Sequence, residues 1–283
     1  MASSLLSFFS TIQSTVKFST LTYQVAIGWT RESRNIEYLC GGSLITKQDI
    51  LTAAHCAYDP ENVAPDTVRL DAIDLANPED AFAPQMAILG ITVHPQYHGF
   101  RKYFDIALIQ LTKPAQINRA VCPSCLWREP ELPKEQMQAA GFGVTRFGEE
   151  RSSTMQMVNL DVIKPSFSTD SGCRKVPFCT AGEGMDACEG DSGGPIGVQR
   201  MDVGGWMIHL IFGIVSIRSP YVTGSTRVYT RISDYIDWIE RELNQLLSYA
   251  GNSGVETAKL THTQNILFSV QEANRVKDDL KKK

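Results

Sequence analysis

Met185-Asp186-Ala187-Cys188-Glu189-Gly190-Asp191-Ser192-Gly193-Gly194-Pro195 is the stretch that sets how the whole chain reads. A serine stands between glycines, with an acid directly before it and a cysteine four residues upstream. Glycine lets the backbone turn tightly and brings N–H groups close to a reacting atom. That setting suits an exposed nucleophilic hydroxyl whose neighbouring amides bind an oxyanion. A bare Gly-x-Ser-x-Gly would fit a glycine-rich turn ahead of a strand equally well. The longer string is far more specific and calls for a base elsewhere in the chain.

With 283 residues, 43% of them hydrophobic and 20% charged, the chain can form one large all-β domain or two ordinary ones. Its 21 glycines and 13 prolines supply many turns. A net charge of −4 gives no electrostatic footprint for nucleic acid or an anionic membrane. No apolar run approaches the ~18–20 residues of a spanning helix. The first residues carry a short apolar core (Leu5, Leu6, Phe8, Phe9) without the basic start of a secretory signal. Seven cysteines are an odd number, so at least one cannot pair within the chain.

From Tyr23 onward, short β-rich runs are bounded by Gly, Pro, Asn or Asp. They are YLCGGSLIT, TVRLDAID, MAILGITVHP, DIALIQLT, MQAAGFGV, MVNLDVI, GGPIGVQ and WMIHLIFGIVSI. No helix–strand alternation or fixed-period repeat interrupts them, which favours a sandwich or a barrel pair. One helix is expected late, in RISDYIDWIERELNQLLSY, with Ser233 as its cap and Ile236, Ile239, Leu243 and Leu247 at helical spacing. Beyond Ala250, Gly251-Asn252-Ser253-Gly254 reads as a break before a polar, charge-rich tail ending KDDLKKK.

The base is expected at His55, in Leu51-Thr52-Ala53-Ala54-His55-Cys56. A Cys40–Cys56 bridge would pin its loop. Asp105 enters the apolar run Phe104-Asp105-Ile106-Ala107-Leu108, where a carboxylate is costly unless hydrogen-bonded. Accepting from an imidazole N–H would satisfy it and leave the other ring nitrogen to act as base. Singly, a histidine is usually structural and an acid beside a strand usually a turn or cap. Three coherent contexts in the order His, Asp, Ser point instead to nucleophilic catalysis, and His94, His98, His209 and His262 have no such setting.

These motifs resemble the chymotrypsin/trypsin family of serine peptidases. CGGSLI, LTAAHC, FDIALI, GFG, MDACEGDSGGPI and VYTRISDYIDWI fall in family order between about Tyr23 and Leu246. The run Ala120-Val121-Cys122-Pro123-Ser124-Cys125-Leu126-Trp127 looks most like arthropod catalytic domains that follow a clip domain. The resemblance implies an all-β fold of two packed six-stranded antiparallel β-barrels with a C-terminal helix. It implies Ser192 as nucleophile, His55 as general base and then acid, Asp105 as orienter, and the N–H groups of Gly190 and Ser192 as the oxyanion hole. Asp186 would lie at the base of a pocket for Arg or Lys, and Ser216 on the strand that pairs with the substrate backbone. Cys173 and Cys179 would pair, whereas Cys122 and Cys125 usually face a preceding regulatory segment. Secretion, protein substrates, and cascade proteases or inhibitors as partners are also implied, with no cofactor, no nucleic acid and no membrane.

Three departures qualify that expectation. Counting back from Tyr23 places the family's activation start near Ser10, where no Ile-Val-Gly-Gly-like run stands. Asp191, which pairs with the new amine in active members, then lacks that partner. Arg227 occupies a family glycine on the pocket wall facing Asp186, and Arg218 occupies another after Ile217. An Arg227–Asp186 pair would fill the pocket. Cys188 has no partner in the loop after Ser216. Asp71, Asp74, Glu79 and Asp80 mark a loop where some relatives bind calcium, but Ala72 replaces an acid there, so no metal is expected. The expected organisation is an atypical N-terminal segment over 1–22, a peptidase domain over 23–248 and a polar tail over 249–283.

Overall fold

The computed structural model describes residues 14–15, 21–77, 83–99, 103–118, 120–143, 151–162, 178–181, 191–201, 205, 207–218 and 227–251. Strands dominate. They run β1 (Ser14–Thr15), β2 (Gln24–Thr30), β3 (Ile36–Leu44), β4 (Asp49–Thr52), β5 (Thr67–Leu70), β6 (Gln85–Val93) and β7 (Ala107–Leu111). Then follow β8 (Cys125–Leu126), β9 (Met137–Gly141), β10 (Gln156–Val162), β11 (Phe178–Ala181), β12 (Pro195–Met201), β13 (Met207–Arg218) and β14 (Arg227–Arg231). Among the described residues one α-helix, α1 (Ile236–Gly251), comes after them.

The first barrel closes in the order β2-β3-β4-β7-β6-β5, every pair antiparallel, because β2 meets β3 on one edge and β5 on the other. The second sheet runs β10-β11-β14-β13-β12-β9, and an additional β9–β10 pairing returns the path to its start. Six strands therefore form a second ring, with β1 joined to β10 and β8 joined in parallel to β13. Closure leaves no long unpaired edge within either ring. The expected double-barrel fold is the one found.

Burial explains which strands were visible from sequence. In β2, every residue from Gln24 to Trp29 is buried, so the alternation that flags a half-exposed strand is missing. One core cluster joins the first barrel (Val25, Ile27, Ile50, Leu108, Ile109) to the second (Ile211, Ile214) and to the helix (Trp238, Ile239, Leu243). A second cluster inside the other ring gathers Met137, Ile196, Val198, Phe212 and Tyr229. Each fully buried aliphatic side chain contributes about 1.5–3 kcal/mol relative to exposure.

The helix packs through Ile236, Ile239 and Leu243, the expected stripe. Leu247 has no described side chain. Ser233 does not cap α1: a 3₁₀ turn spans Ile232–Asp234, the α-helix begins at Ile236, and the buried Ser233 hydroxyl meets no partner among the described residues. The 3₁₀ turn takes up the position of the expected cap, and the helix starts at Ile236, the first residue of the expected apolar stripe.

The segment after the His55 turn is anchored to the first barrel by Asp59. Its carboxylate accepts from the N–H groups of Glu61 (3.0 Å) and Val63 (2.8 Å) and from the Arg31 guanidinium (2.7 Å). Arg31 also reaches Glu37 at 2.8 Å, and Trp29 donates its indole N–H to the Val63 carbonyl at 2.8 Å. The Val63 amide first, with the Arg31 guanidinium beside it, holds the Asp59 carboxyl below its ordinary value despite the opposing effect of burial. A depressed carboxyl stabilises the fold above the ordinary Asp value and loses that contribution as pH falls through its folded value. Asp59→Asn should therefore lower Tm at neutral pH, with the gap to wild type narrowing as the pH drops below 3.8. Thermal melts across pH would check this; a gap of constant size would remove Asp59 from the acid response.

Candidate active site

Ladder register brings the base and the acid together. In the β4–β7 pair Thr52 lies opposite Ala107, so the chain leaving β4 and the chain entering β7 meet at one end of the ladder. His55 follows in a 3₁₀ turn over Ala54–Ala57, and Asp105 lies two residues before β7. The Cys40–Cys56 disulfide ties that turn back to β3, as expected.

Asp105 is fully buried. Its Oδ1 accepts from the His55 backbone N–H at 2.9 Å, and its Oδ2 lies 2.8 Å from His55 Nδ1. An ionised carboxylate can only accept, so Nδ1 carries the hydrogen and Nε2 keeps its lone pair. The Ser216 hydroxyl also donates to Oδ2, while the Thr230 hydroxyl donates to the Asp105 backbone carbonyl at 3.0 Å. Burial pushes the Asp105 carboxyl up, but the hydrogen bond and charge of His55, with help from Ser216, outweigh it and hold the group below its ordinary value. Ser216, expected only as part of the substrate-pairing strand, thus also secures the acid. Its signal in sequence was position alone.

Ser192 sits where the two barrels meet. Its carbonyl accepts from the Gly41 N–H of β3 at 2.7 Å, and the next residue, Gly193, donates to Val215 of β13 at 2.8 Å. Gly193 has φ +77, and a Cβ there would lie 2.3 Å from the Thr52 hydroxyl and 2.5 Å from the Gly41 carbonyl. Only glycine fits that left-handed, crowded position. His55 and Ser192 line one open cavity of about 550 Å³, whose walls include Trp29, Leu39, Tyr58 and Arg151.

The Asp191 carboxylate lies in a cradle of two glycines, Gly141 and Gly143. Its Oδ1 accepts from the Gly143 N–H at 2.8 Å. A Cβ on Gly141 would stand 2.1 Å from Oδ1, and one on Gly143 would stand 2.5 Å from Oδ2. The run Gly141-Phe142-Gly143 is therefore shaped to admit this carboxylate, a role invisible in the motif itself. Arg218 and Arg227 are Cα partners across the β13–β14 ladder, and their side chains lie outside the described residues. Asp186, Cys188, Gly190 and Cys173 also lie outside them, as does the side chain of Cys179. Cys122 and Cys125 keep thiols, and burial first, then the charge of Cys122, pushes the Cys125 thiol up to about 11.

Cys40, His55 and Cys56 crowd within 4.8 Å, which on composition alone would pass for a metal cluster. Both sulfurs are consumed by the disulfide, so neither can be the thiolate that a metal needs. What remains is a histidine whose tautomer is set by a buried aspartate, beside a serine pinned at the junction of two barrels. That combination defines a double-barrel protein of the serine-peptidase type.

Comparison with known proteins agrees. The family model described as "Trypsin" matches residues 13–239, and the chain belongs to this family of serine proteases. It is 37% identical over 239 residues to the Serine protease snk of Drosophila melanogaster, covering 77% of this chain and 53% of that protein. It is 32% identical to the Serine protease Hayan of the same organism, covering 72% of this chain and 34% of that protein. A match of 32% identity to the Phenoloxidase-activating factor 3 of Holotrichia diomphalia covers 76% and 66%. The aligned chain thus spans about half the length of the first of these relatives and a third of the second.

Proposed function

We propose that the chain is a serine endopeptidase in which Ser192 is the nucleophile, His55 the general base and then acid, and Asp105 the orienter. The observation that carries this reading is the buried Asp105 carboxylate meeting the His55 backbone N–H and Nδ1 at 2.9 and 2.8 Å. Ser192 Oγ attacks the scissile carbonyl and passes its proton to His55 Nε2. The N–H groups of Gly190 and Ser192 stabilise the oxyanion. Protonated His55 hands its proton to the departing amine, leaving an acyl ester on Ser192. Water, deprotonated by His55, then hydrolyses that ester. No step requires a cofactor.

Asp186 directs cleavage after Arg or Lys, with Arg227 and Arg218 modulating the pocket, and Asp191 couples the loop around Ser192 to activation. Cys173 and Cys179 form a second disulfide. The peptidase unit runs over 23–248, between a distinct segment over 1–22 and a polar tail over 249–283. Partners are protein substrates and cascade proteases or inhibitors in an extracellular setting. Relatives described as a Phenoloxidase-activating factor and a Clotting factor G beta subunit support that setting. A second reading, a catalytically impaired homologue acting as a binding or regulatory partner, is favoured by one observation, the arginine at position 227.

A fluorophosphonate probe separates the two readings. The endopeptidase should be labelled on Ser192, with labelling abolished in Ser192→Ala. A chain that stays unlabelled after proteolytic processing of its N-terminal region is the regulatory homologue.

A further inference from the structure

The residue directly before Asp105 is held in a conformation it would not choose. Phe104 has φ +61, a left-handed backbone that is strained for a bulky residue and persists only where the surroundings over-determine it. The turn around Asp105 is tight: Ile106 N–H donates to the Phe104 carbonyl at 2.8 Å, and His94 N–H donates to the Ile106 carbonyl at 3.1 Å. Because Asp105 follows Phe104 directly, relaxing φ at Phe104 would swing the carboxylate away from His55 and Ser216. Something must oppose that relaxation.

The opposing contacts come from the far end of the chain. Phe104 N–H donates to the Tyr235 hydroxyl oxygen at 3.1 Å, across a separation of 131 residues. Tyr235 is 5% exposed, and its backbone is fixed: its N–H donates to Ile232, and its carbonyl accepts from Ile239 in the first turn of α1. Around this bond the rings form a box. His94 stacks on Phe104 at 4.9 Å and 19°, Tyr235 stands edge-on to both, and Trp238 of α1 lies tilted against His94 at 5.1 Å.

We propose that the Tyr235 hydroxyl is a positioning group for Asp105, clamping the strained Phe104 peptide so that the carboxylate keeps its place against His55. The proposal rests on the triad reading above and deepens it. Among the described residues no hydrogen bond or ring contact joins Tyr235 to His55 or Ser192. It acts through one part-buried backbone N–H, so losing the acceptor removes the side-chain bond that holds the Phe104 peptide in place. The start of the C-terminal helix thereby sets catalytic geometry on the first barrel, a use of α1 beyond closing the core.

Tyr235→Phe keeps the ring and its edge contacts and removes only the acceptor. It should lower kcat about tenfold with KM changed less than twofold, the signature of a lost transition-state interaction. The low-field proton NMR resonance of His55 Nδ1–H should weaken or broaden. Adding Phe104→Asn should restore several-fold of the lost rate, because Asn tolerates the left-handed region better. Leu243→Ala, a buried helix residue remote from the clamp, controls for stability: it should lower Tm while leaving kcat and the resonance as in wild type.

Unchanged kcat and resonance in Tyr235→Phe overturns the proposal. So does an equal loss in Leu243→Ala, or a loss that Phe104→Asn fails to recover. A wild-type chain that never reacts with the fluorophosphonate overturns the peptidase reading. In that chain the resonance alone still reads the Asp105–His55 bond and decides the clamp.

Discussion

Asp105→Asn is expected to cut kcat about 10⁴-fold while the fold and KM stay nearly unchanged. The amide keeps an oxygen that can accept from the His55 backbone N–H, so local geometry survives. Facing His55 Nδ1, however, its NH₂ is a donor, which forces the hydrogen onto Nε2 and leaves no lone pair for the Ser192 proton. The Ser216 hydroxyl can donate or accept and does not oppose the exchange. Since the Asp105 carboxyl is held below its ordinary value, its contribution to stability is present above that value and lost as pH falls through the folded one. The Tm difference between variant and wild type should accordingly shrink in acid. Steady-state kinetics on an ester substrate, with melts by circular dichroism, would measure both effects. A variant within tenfold of wild type would remove Asp105 from the mechanism.

Arg227→Gly should move activity the other way. In the proposed pocket Asp186 is the acid that selects Arg or Lys, and Arg227 stands at a position on the facing wall where the family resemblance expects glycine. A guanidinium fork fits a carboxylate in bidentate fashion, so an Arg227–Asp186 pair would neutralise the charge meant for the substrate and fill the space it needs. Displacing such a pair costs an incoming substrate about 2–4 kcal/mol, so its removal should raise kcat/KM on Arg and Lys amides about 30- to 1000-fold. Inhibition by benzamidine should strengthen in parallel. Register sets Arg227 opposite Arg218 on β13 and Thr180 on β11, both in the sheet that carries Ser216. An unchanged rate would mean that Arg227 does not fill the pocket.

Much of the fold was legible because each visible strand carried its own punctuation. The runs MAILGITVHP and DIALIQLT, bounded by turn residues, became β6 and β7. Other strands escaped: β2 is buried on both sides and shows no alternation, β4 and β11 have four residues each, and β14 is a five-residue strand that leads directly into a helical turn. The site divides the same way. His55, Asp105 and Ser192 each stand in a recognisable local string, because a nucleophile turn, a base beside a bridging cysteine and an acid opening a buried strand all need particular neighbours. The glycine cradle of Asp191, the Ser216 bond to Asp105 and the Tyr235 clamp span 48, 111 and 131 residues. No local pattern encodes them, since they arise only after both barrels close and their registers align.

By itself, the sequence determined the all-β class, the candidate nucleophile, base and acid, and the Cys40–Cys56 bridge. These follow from residue chemistry at short range: glycines around a serine, a costly acid in an apolar run, a cysteine beside a histidine. Tertiary structure alone decided which groups share the Asp105 carboxylate, how Gly193 is crowded between two barrels, and why Phe104 holds a left-handed backbone. Those outcomes depend on strand register and helix docking, where shifts of an ångström decide whether a hydrogen bond forms or is lost, and such distances are set by the packed whole.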